Sequence, residues 1–213
     1  MRADAIFFDV DGTLVDSREG IAAAMNHVLR ELGRKQKPVW LIASYVGTGV
    51  RDLVDKSLDD GKSALVEKAV SLFSDYYLKH PTDRSRLYPH VKETLEYFKR
   101  KRKFIVTNRY EKFAEATLKG FGIRKYFEAI IGGDDENCLK PSACILDSIL
   151  IKSKLAKDRV IIVGDMTIDV ETGRNSGVKT CWVTYGLGKR KDVEPMKPDY
   201  IIDDMAELKS IIE

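Results

Sequence analysis

The sequence contains little cysteine and lacks any long hydrophobic run. Its 213 residues include three cysteines, an odd number without the spacing of a metal site. We therefore predict that Cys138, Cys144 and Cys181 are reduced thiols of a cytoplasmic protein. The early apolar run Ala5–Phe8 is too short for the core of a signal peptide, and no run reaches the length that spans a bilayer. A membrane is therefore not an expected partner.

An excess of one charge is also missing. The chain has 36 Lys and Arg against 33 Asp and Glu, so its net charge is only +3. This balance gives no reason to expect nucleic acid as a partner. The one basic run, residues 99–103, stands at the end of a predicted helix, where cations complement the helix dipole. We interpret it as a solvated helix end rather than as a nucleic-acid patch.

Six short apolar runs predict β-strands, at residues 3–8, 104–107, 129–131, 160–163, 180–184 and 200–202. They are nearly continuous rather than alternating, which is typical of strands buried on both faces of a parallel sheet. Helical patterns lie between most of them, at residues 91–101, 111–120, 143–154 and 169–175. This alternation predicts an α/β fold, doubly wound around a parallel sheet in three layers.

Residues 16–86 break the alternation, because they show only helical periodicity. Two apolar stripes recur at helical spacing, formed by Ile21, Met25, Val28, Leu29 and Leu32, and by Leu65, Ala69, Leu72, Phe73 and Tyr76. The first stripe ends at Gly33 and the second before Pro81, residues that terminate helices. We therefore predict a helical insert, residues 16–86, in a core formed by residues 1–15 and 87–213.

The motif Asp9-Val10-Asp11-Gly12-Thr13 follows the first predicted strand, at the sheet edge where open α/β folds bind ligands. An ionised Asp9 is able to attack phosphorus directly, and a divalent cation would offset the repulsion between two anions. Crowding beside Asp9 favours the protonated form of Asp11, and with it a proton-donor role toward the leaving oxygen. A surface turn and a calcium loop are the alternatives, but EF-hand loops carry glycine at the sixth position, whereas Gly12 is fourth.

Two further strands are followed by residues that suit a phosphoryl group. Thr107 and Asn108 close the second strand of the sheet and offer hydrogen bonds without adding charge. The alternative for Asn108 is the cap of the next helix. Lys140 lies in the loop after the third strand, where its charge would balance Asp9 and the phosphate. The alternative for Lys140 is an exposed lysine.

A pair of acids completes the pattern. Asp165 ends a buried strand, and Asp169 lies one helical turn further on the same side. Mg²⁺ prefers oxygen ligands, usually one or two carboxylates together with water and phosphate. The pair therefore predicts a magnesium site with Asp165 as a ligand and Asp169 in support. The alternative is a pair of acids that complement a helix dipole.

In this order, the four motifs resemble those of the haloacid dehalogenase superfamily, over nearly the whole chain. The resemblance implies a Rossmann-like core and reads the insert as the helical cap of that family. It also implies that Asp9 is the nucleophile and Asp11 the general acid and base. Mg²⁺ would be held by Asp9, the backbone carbonyl of Asp11 and Asp165, with Asp169 supporting them.

The resemblance further implies that Thr107, Asn108 and Lys140 hold the phosphoryl group, with Thr107 and Lys140 counted among the catalytic residues. The cap would close over the site and choose the substrate. Thr48 and Arg51 are the candidate substrate-binding residues in the cap. Arg51 would meet a substrate carboxylate with two hydrogen bonds, or it is a solvated helix residue.

Three stretches, residues 45–54, 131–135 and 183–186, are similar to the phosphoglycolate phosphatase branch. The expected function is therefore Mg²⁺-dependent hydrolysis of a small phosphomonoester, first of all 2-phosphoglycolate, through an aspartyl-phosphate intermediate. The alternatives are another small ester (nucleotide, sugar phosphate or pyrophosphate), a sugar phosphomutase and a non-catalytic binding module. A phosphonate hydrolase would need a cap lysine, for which Lys56, Lys62 and Lys68 are the candidates. The expected partner is a small phosphorylated metabolite, and the chain is expected to be a monomer or homodimer.

Overall fold

The six predicted strands form one parallel sheet in the computed structural model, which describes residues 1–59 and 63–213. They are β1 (Ala5–Phe8), β4 (Arg102–Val106), β5 (Ala129–Ile131), β6 (Val160–Gly164), β7 (Lys179–Val183) and β8 (Tyr200–Ile202). The order across the sheet is β5-β4-β1-β6-β7-β8, so β1 lies between β4 and β6. Two shorter strands, β2 (Val15–Asp16) and β3 (Arg86–Leu87), pair antiparallel outside this sheet.

Helices follow most of the strands. They are α1 (Arg18–Glu31), α2 (Val39–Ala43), α3 (Val50–Leu58), α4 (Ser63–Lys79), α5 (Val91–Tyr97), α6 (Glu111–Gly120), α7 (Cys144–Lys152), α8 (Thr167–Ser176), α9 (Arg190–Val193) and α10 (Leu208–Ile211). No helix in the described ranges is both long and apolar enough to cross a membrane.

The central strand β1 is buried on both faces. Ile6 and Phe8 pack into one apolar cluster with residues of α5 and α6. Ala5 and Phe7 point the other way, into a second cluster with residues of α7. Successive side chains of a strand alternate between its faces, so a strand covered on both sides needs a continuous apolar run. The predicted three-layer α/β fold is confirmed.

Helices α1 to α4 share an apolar cluster of their own, which includes Met25, Val54 and Phe73. Phe113 of α6 also belongs to it, so this cluster meets the sheet domain at that point. The chain passes between the two parts along β2 and β3, a two-stranded ribbon that the sequence did not predict. Each of these strands has only two residues, too few to show an alternating pattern. The division into a cap of residues 16–86 and a core stays a prediction.

The basic run at residues 99–103 starts in a turn rather than in a helix. Helix α5 ends at Tyr97, not at residue 101 as predicted. Lys101 Nζ donates to the carbonyl of Ala3 at 2.8 Å, and Arg102 forms an ion pair with Glu128. Lys103 is buried, and its Nζ donates to the carbonyl of Lys101 at 2.9 Å. These cations are therefore engaged within the protein.

The prediction of three reduced thiols is wrong for two of the cysteines. Cys138 and Cys144 form a disulfide, and their Cα atoms are 5.7 Å apart. The chain folds back on itself between them, in the loop that carries Lys140 and the cis peptide bond before Pro141. A spacing of six residues gives no sign of such a loop. Cys181 is a free, buried thiol, as predicted.

Candidate active site

Asp9 and Asp165 follow neighbouring strands of the sheet. Phe8 of β1 pairs with Val163 of β6, and the amide of Asp9 donates to the carbonyl of Val163 at 3.0 Å. Both carboxylates therefore leave the sheet at the same edge, where the carboxyl ends of parallel strands meet. Asp9 is 6% exposed and Asp165 is fully buried. The structure thus brings together the first and last of the four motifs.

Three carboxylates and one lysine meet at this edge. Oxygen atoms of Asp9, Asp165 and Asp169 lie within 4.8 Å of one another. Lys140 Nζ donates to Asp169 Oδ1 at 2.7 Å and lies 3.0 Å from Asp9 Oδ1. The second contact is an ion pair that lacks hydrogen-bond geometry, so the buried Asp9 Oδ1 has no hydrogen-bond partner.

Burial dominates the electrostatics of this cluster. It raises the pKa of Asp9 to about 7, against the opposing charge of Lys140. Burial also raises the pKa of Asp165 well above its usual range, and the charges of Asp169 and Asp9 add to this effect. Burial disfavours the charged form of Lys140, but Asp169 and Asp9 outweigh it and raise the pKa of Lys140. One lysine therefore does not neutralise the three acids.

These residues fit a divalent cation. The cluster supplies three carboxylates, the ligands that hard cations such as Mg²⁺ prefer, and one buried oxygen without a hydrogen bond. A cation would also favour the ionised form of Asp9, which burial alone opposes. The carboxylate of Asp11 is not in this cluster. The family resemblance assigns only the backbone carbonyl of Asp11 to the metal.

The carboxylate of Asp165 is held by two loops. Thr13 Oγ1 donates to Asp165 Oδ1 at 3.0 Å, and the amides of Leu187 and Gly188 donate to Oδ2 at 2.6 and 3.3 Å. The loop that carries Thr13 approaches the Asp165 carboxylate so closely that position 12 requires glycine. Its φ is +83°, and a Cβ there would overlap the Asp165 carboxylate. Thr13, the last residue of the first motif, therefore orients Asp165.

Asn108 ties three segments together. Its side-chain oxygen accepts from the amide of Lys140 at 2.7 Å, and its Nδ2 donates to the carbonyls of Lys140 at 3.0 Å and Gly47 at 2.8 Å. These bonds fix the Lys140 loop and attach it to the loop before α3. Thr107 is buried beside Asn108, and its Oγ1 accepts from the amide of Arg109 at 3.3 Å.

A cavity of about 40 Å³ lies between the acidic cluster and helices α1, α3 and α4. On the sheet side its lining includes Asp9, Asp11, Thr107, Asn108, Arg109 and Lys140. Across from these, most of the lining is apolar, from Ile21, Val46, Val50, Leu53 and Phe73. A water molecule needs roughly 10–15 Å³ on this measure, so the cavity has room for only a few atoms.

The Gly47-Thr48-Gly49 segment forms one wall of the cavity through its two glycines. Both have positive φ, +119° and +110°, which favours glycine. A Cβ on Gly47 would lie 2.9 Å from Met166 Sδ. The positive φ therefore accounts for glycine at both positions of this loop.

Thr48 and Arg51 do not line this cavity in the part of the chain that the structure describes. Thr48 Oγ1 donates to Asp52, and Arg51 forms an exposed ion pair with Glu67. Both line a separate outer cleft of about 470 Å³. Their predicted contact with the substrate therefore has no support from the position of the cavity.

The cap lysines considered for phosphonate chemistry also lie elsewhere. Lys56 pairs with Asp52 at 2.6 Å, and Lys68 is exposed. Lys62 lies outside the described residues.

Sequence reasoning missed Arg109, which follows the Thr107-Asn108 motif directly. Its side chain is buried, and its Nη2 donates to Asp11 Oδ1 at 2.8 Å. Its Nη1 donates to the hydroxyls of Tyr77 in α4, at 2.8 Å, and of Thr117 in α6, at 3.1 Å. The hydroxyl of Ser17 also donates to Asp11. The sequence feature that could have identified Arg109 is its position as a charged residue directly after a buried strand and a polar motif.

Comparison with known proteins decides the family. The model of the haloacid dehalogenase-like hydrolase family matches residues 6–183. The chain belongs to the haloacid dehalogenase-like hydrolases. This hydrolase is 33% identical to phosphoglycolate phosphatase of Haemophilus influenzae over 217 residues, which covers 97% of each protein. It is 32% identical to phosphoglycolate phosphatase of Aquifex aeolicus, over 98% of this chain and 96% of the relative.

Solved structures agree with the family assignment. The hydrolase superposes with a TM-score of 0.93 on the crystal structure of a predicted phosphoglycolate phosphatase from Haemophilus somnus. The identity is 29%, and the match covers 99% of this chain and 98% of the other. The predicted resemblance to the phosphoglycolate phosphatase-like branch is confirmed. So is the predicted enzyme class, a phosphoric monoester hydrolase.

Proposed function

We propose that this hydrolase cleaves 2-phosphoglycolate in a Mg²⁺-dependent reaction that passes through an aspartyl-phosphate on Asp9. The observation that carries this proposal is the buried group of Asp9, Asp165, Asp169 and Lys140 at one sheet edge, of which Asp9 and Lys140 line a small cavity. The small size of the cavity favours a short ester over a nucleotide. The substrate of the named relatives supports the choice among short esters.

The first step transfers the phosphoryl group to the protein. A carboxylate oxygen of Asp9 forms a bond to phosphorus, and the bond from phosphorus to the ester oxygen breaks. Asp11 gives its proton to that leaving oxygen, so glycolate departs. In the second step water attacks phosphorus, Asp11 takes its proton, and the acyl-phosphate bond breaks to release inorganic phosphate and the free Asp9.

Lys140 and the metal site balance charge. The Lys140 ammonium sits between Asp9 and Asp169, where it would also attract the anionic phosphoryl oxygens. Asp9, the Asp11 carbonyl and Asp165 would hold Mg²⁺ with Asp169 in support, and the cation would supply positive charge against the repulsion between nucleophile and phosphate. Thr107 would add a neutral hydrogen bond to a phosphoryl oxygen.

Other predictions about this protein stay open to test. The proposed partner is a small phosphorylated metabolite, and a monomer or homodimer is expected. The cytoplasmic location also stays a prediction. The disulfide between Cys138 and Cys144 removes the argument from reduced thiols on which that location partly rested.

The test measures inorganic phosphate released from a panel of phosphomonoesters, with Mg²⁺ or EDTA, by the wild type and Asp9→Asn. We expect Mg²⁺-dependent release with a preference for 2-phosphoglycolate, and at least a thousandfold loss in Asp9→Asn, on the order of the loss when a nucleophile is removed. Preference for a different ester would overturn the substrate. Release that survives Asp9→Asn would overturn the mechanism.

A further inference from the structure

We infer that Arg109 binds a carboxylate of the substrate, so that the enzyme selects short phosphate esters that carry an acid group. This inference rests on the proposed phosphatase function and goes further, because it names the side chain that sets the substrate class. The Thr107-Asn108 motif predicted phosphoryl binding, whereas Arg109 would recognise the opposite end of the substrate.

The position of Arg109 fits such a role. Its Nη2 lies 2.8 Å from Asp11 Oδ1, and Asp11 is the group that protonates the leaving oxygen. In 2-phosphoglycolate a single methylene separates that oxygen from the carboxylate. A carboxylate on the departing side of the ester therefore lies close to Asp11, within reach of the neighbouring guanidinium. Arg109 lines the cavity in which the departing group must fit.

The charges around the cavity point the same way. Its charged lining residues are Asp9, Asp11, Lys140 and Arg109. Lys140 already faces two carboxylates, Asp9 and Asp169. Arg109 faces one carboxylate, Asp11, and its other two hydrogen bonds go to hydroxyl groups. A guanidinium has five N–H donors, so it is able to add a second carboxylate to these partners.

The wall of the cavity opposite Arg109 has no cationic side chain among the described lining residues. Across the cavity lie the apolar side chains of Ile21, Val46, Val50, Leu53 and Phe73. A buried carboxylate without a cationic partner is strongly disfavoured. Among the lining residues that the structure describes, Arg109 is therefore the cation that is left for an acidic substrate.

A structural role for Arg109 is the rival explanation. Arg109 joins Asp11 to Tyr77 of α4, so it would also hold the cap on the core and orient the general acid. In that case its loss would affect every substrate equally. Binding of a substrate carboxylate affects only the esters that carry one, so a pair of substrates separates the two roles.

The experiment compares 2-phosphoglycolate with ethyl phosphate, which has the same carbon chain without the acid. We expect Arg109→Met to lower kcat/KM for 2-phosphoglycolate by about 10- to 100-fold more than for ethyl phosphate, the factor that a charge-assisted hydrogen bond provides. Arg109→Lys keeps a cation beside Asp11 but loses the planar fork, so we expect an intermediate ratio. The Arg109→Lys variant also provides the test if Arg109→Met does not fold.

Two control variants test the specificity of the effect. Tyr77→Phe removes the hydrogen bond to the cap and keeps the guanidinium, so the ratio between the two substrates should stay that of the wild type. Arg51→Met removes an exposed arginine of the outer cleft, and it should also leave the ratio unchanged.

Equal losses on both esters in the Arg109 variants would overturn the inference and leave a purely positioning role. A wild type with equal kcat/KM for ethyl phosphate and 2-phosphoglycolate would also overturn the inference, while the phosphatase function would stand. Release of phosphate from no ester at all would instead be a failure of the proposed function, and the inference would fall with it.

Discussion

At the scale of single residues, Asp165 is fixed by donors from separate parts of the chain. Thr13, after β1, donates to one carboxylate oxygen, and the amides after β7 donate to the other. The indole of Trp182 in β7 donates to the backbone carbonyl of Asp165 at 2.8 Å. Bonds of this kind hold a metal-binding carboxylate in place, which is the role proposed for Asp165, and their removal typically lowers metal affinity.

The hydroxyl of Thr13 offers a direct test. We expect Thr13→Val to weaken Mg²⁺ binding by about 10-fold, because Asp165 loses a hydrogen bond that fixes its carboxylate. Isothermal titration of the protein with Mg²⁺ measures this without any substrate. Thr13→Ser keeps the hydroxyl and should bind as the wild type does. An unchanged affinity in Thr13→Val would show that Asp165 needs no such support.

At the scale of elements, the ribbon of β2 and β3 is where the chain enters and leaves the helical segment. Asp16 in β2 is buried and accepts from Arg18 at 2.8 and 2.9 Å, and from Arg86 in β3 at 3.0 Å. The hydrogen bond from Arg18 is the main cause of a lowered pKa for Asp16, against the effect of burial. The carboxylate of Asp16 thus joins β2 to β3.

The lowered pKa of Asp16 makes its contribution to the stability of the fold dependent on pH. A carboxylate with a lowered pKa in the folded state stabilises the fold above its ordinary pKa of 3.8. That stability is lost as the pH falls through the folded-state value. We expect Asp16→Asn to lower the free energy of unfolding by about 1–2 kcal/mol at pH 7, and by less near pH 3. Urea unfolding at both values measures the difference.

Asp75→Asn is the matched control, because Asp75 is an exposed carboxylate on α4. Its free energy of unfolding should stay within about 0.5 kcal/mol of the wild type at both pH values. A loss in Asp16→Asn that is the same at pH 7 and pH 3 would contradict the role given to the charge of Asp16.

At the scale of the whole molecule, the helical segment and the sheet domain meet at the site. The loop before α3 contacts the core through the carbonyl of Gly47, which accepts from Asn108 at 2.8 Å. The same residue lies against Met166, which follows Asp165. The position of the loop before α3 therefore depends on the loops that carry Asn108 and Asp165, as a lid over the proposed site would require.

Substitution of Gly47 separates this contact from folding. We expect Gly47→Ala to lower phosphatase kcat/KM by about 10- to 100-fold, because a φ of +119° strains alanine and shifts the loop beside the site. The comparison is Gly122→Ala, at a glycine that also has positive φ but has no atom within 4 Å of the added Cβ. Both should lose about 1 kcal/mol of stability to backbone strain. Equal activity in the two variants would contradict the role given to the loop before α3.

The sequence by itself determined the strands, the order of the four motifs and the edge of the sheet where they meet. Those features follow from local patterns, because continuous apolar runs mark buried strands and parallel strands end together. It also predicted the grouping of Asp9, Asp165 and Asp169, since Asp9 and Asp165 directly follow strands and Asp169 lies one helical turn after Asp165.

Only the tertiary structure decided what faces the cavity and which residues join distant segments. Arg109 reaches Asp11 and Tyr77 across 98 and 32 positions of the chain, and no local pattern contains such a pairing. Arg51 looked suitable as a substrate ligand, yet it turns outward to Glu67. Side-chain direction and contacts between distant residues arise when helices pack on the sheet, so the cavity came from packing, whereas the disulfide depends on how the loop that carries Lys140 folds back on itself.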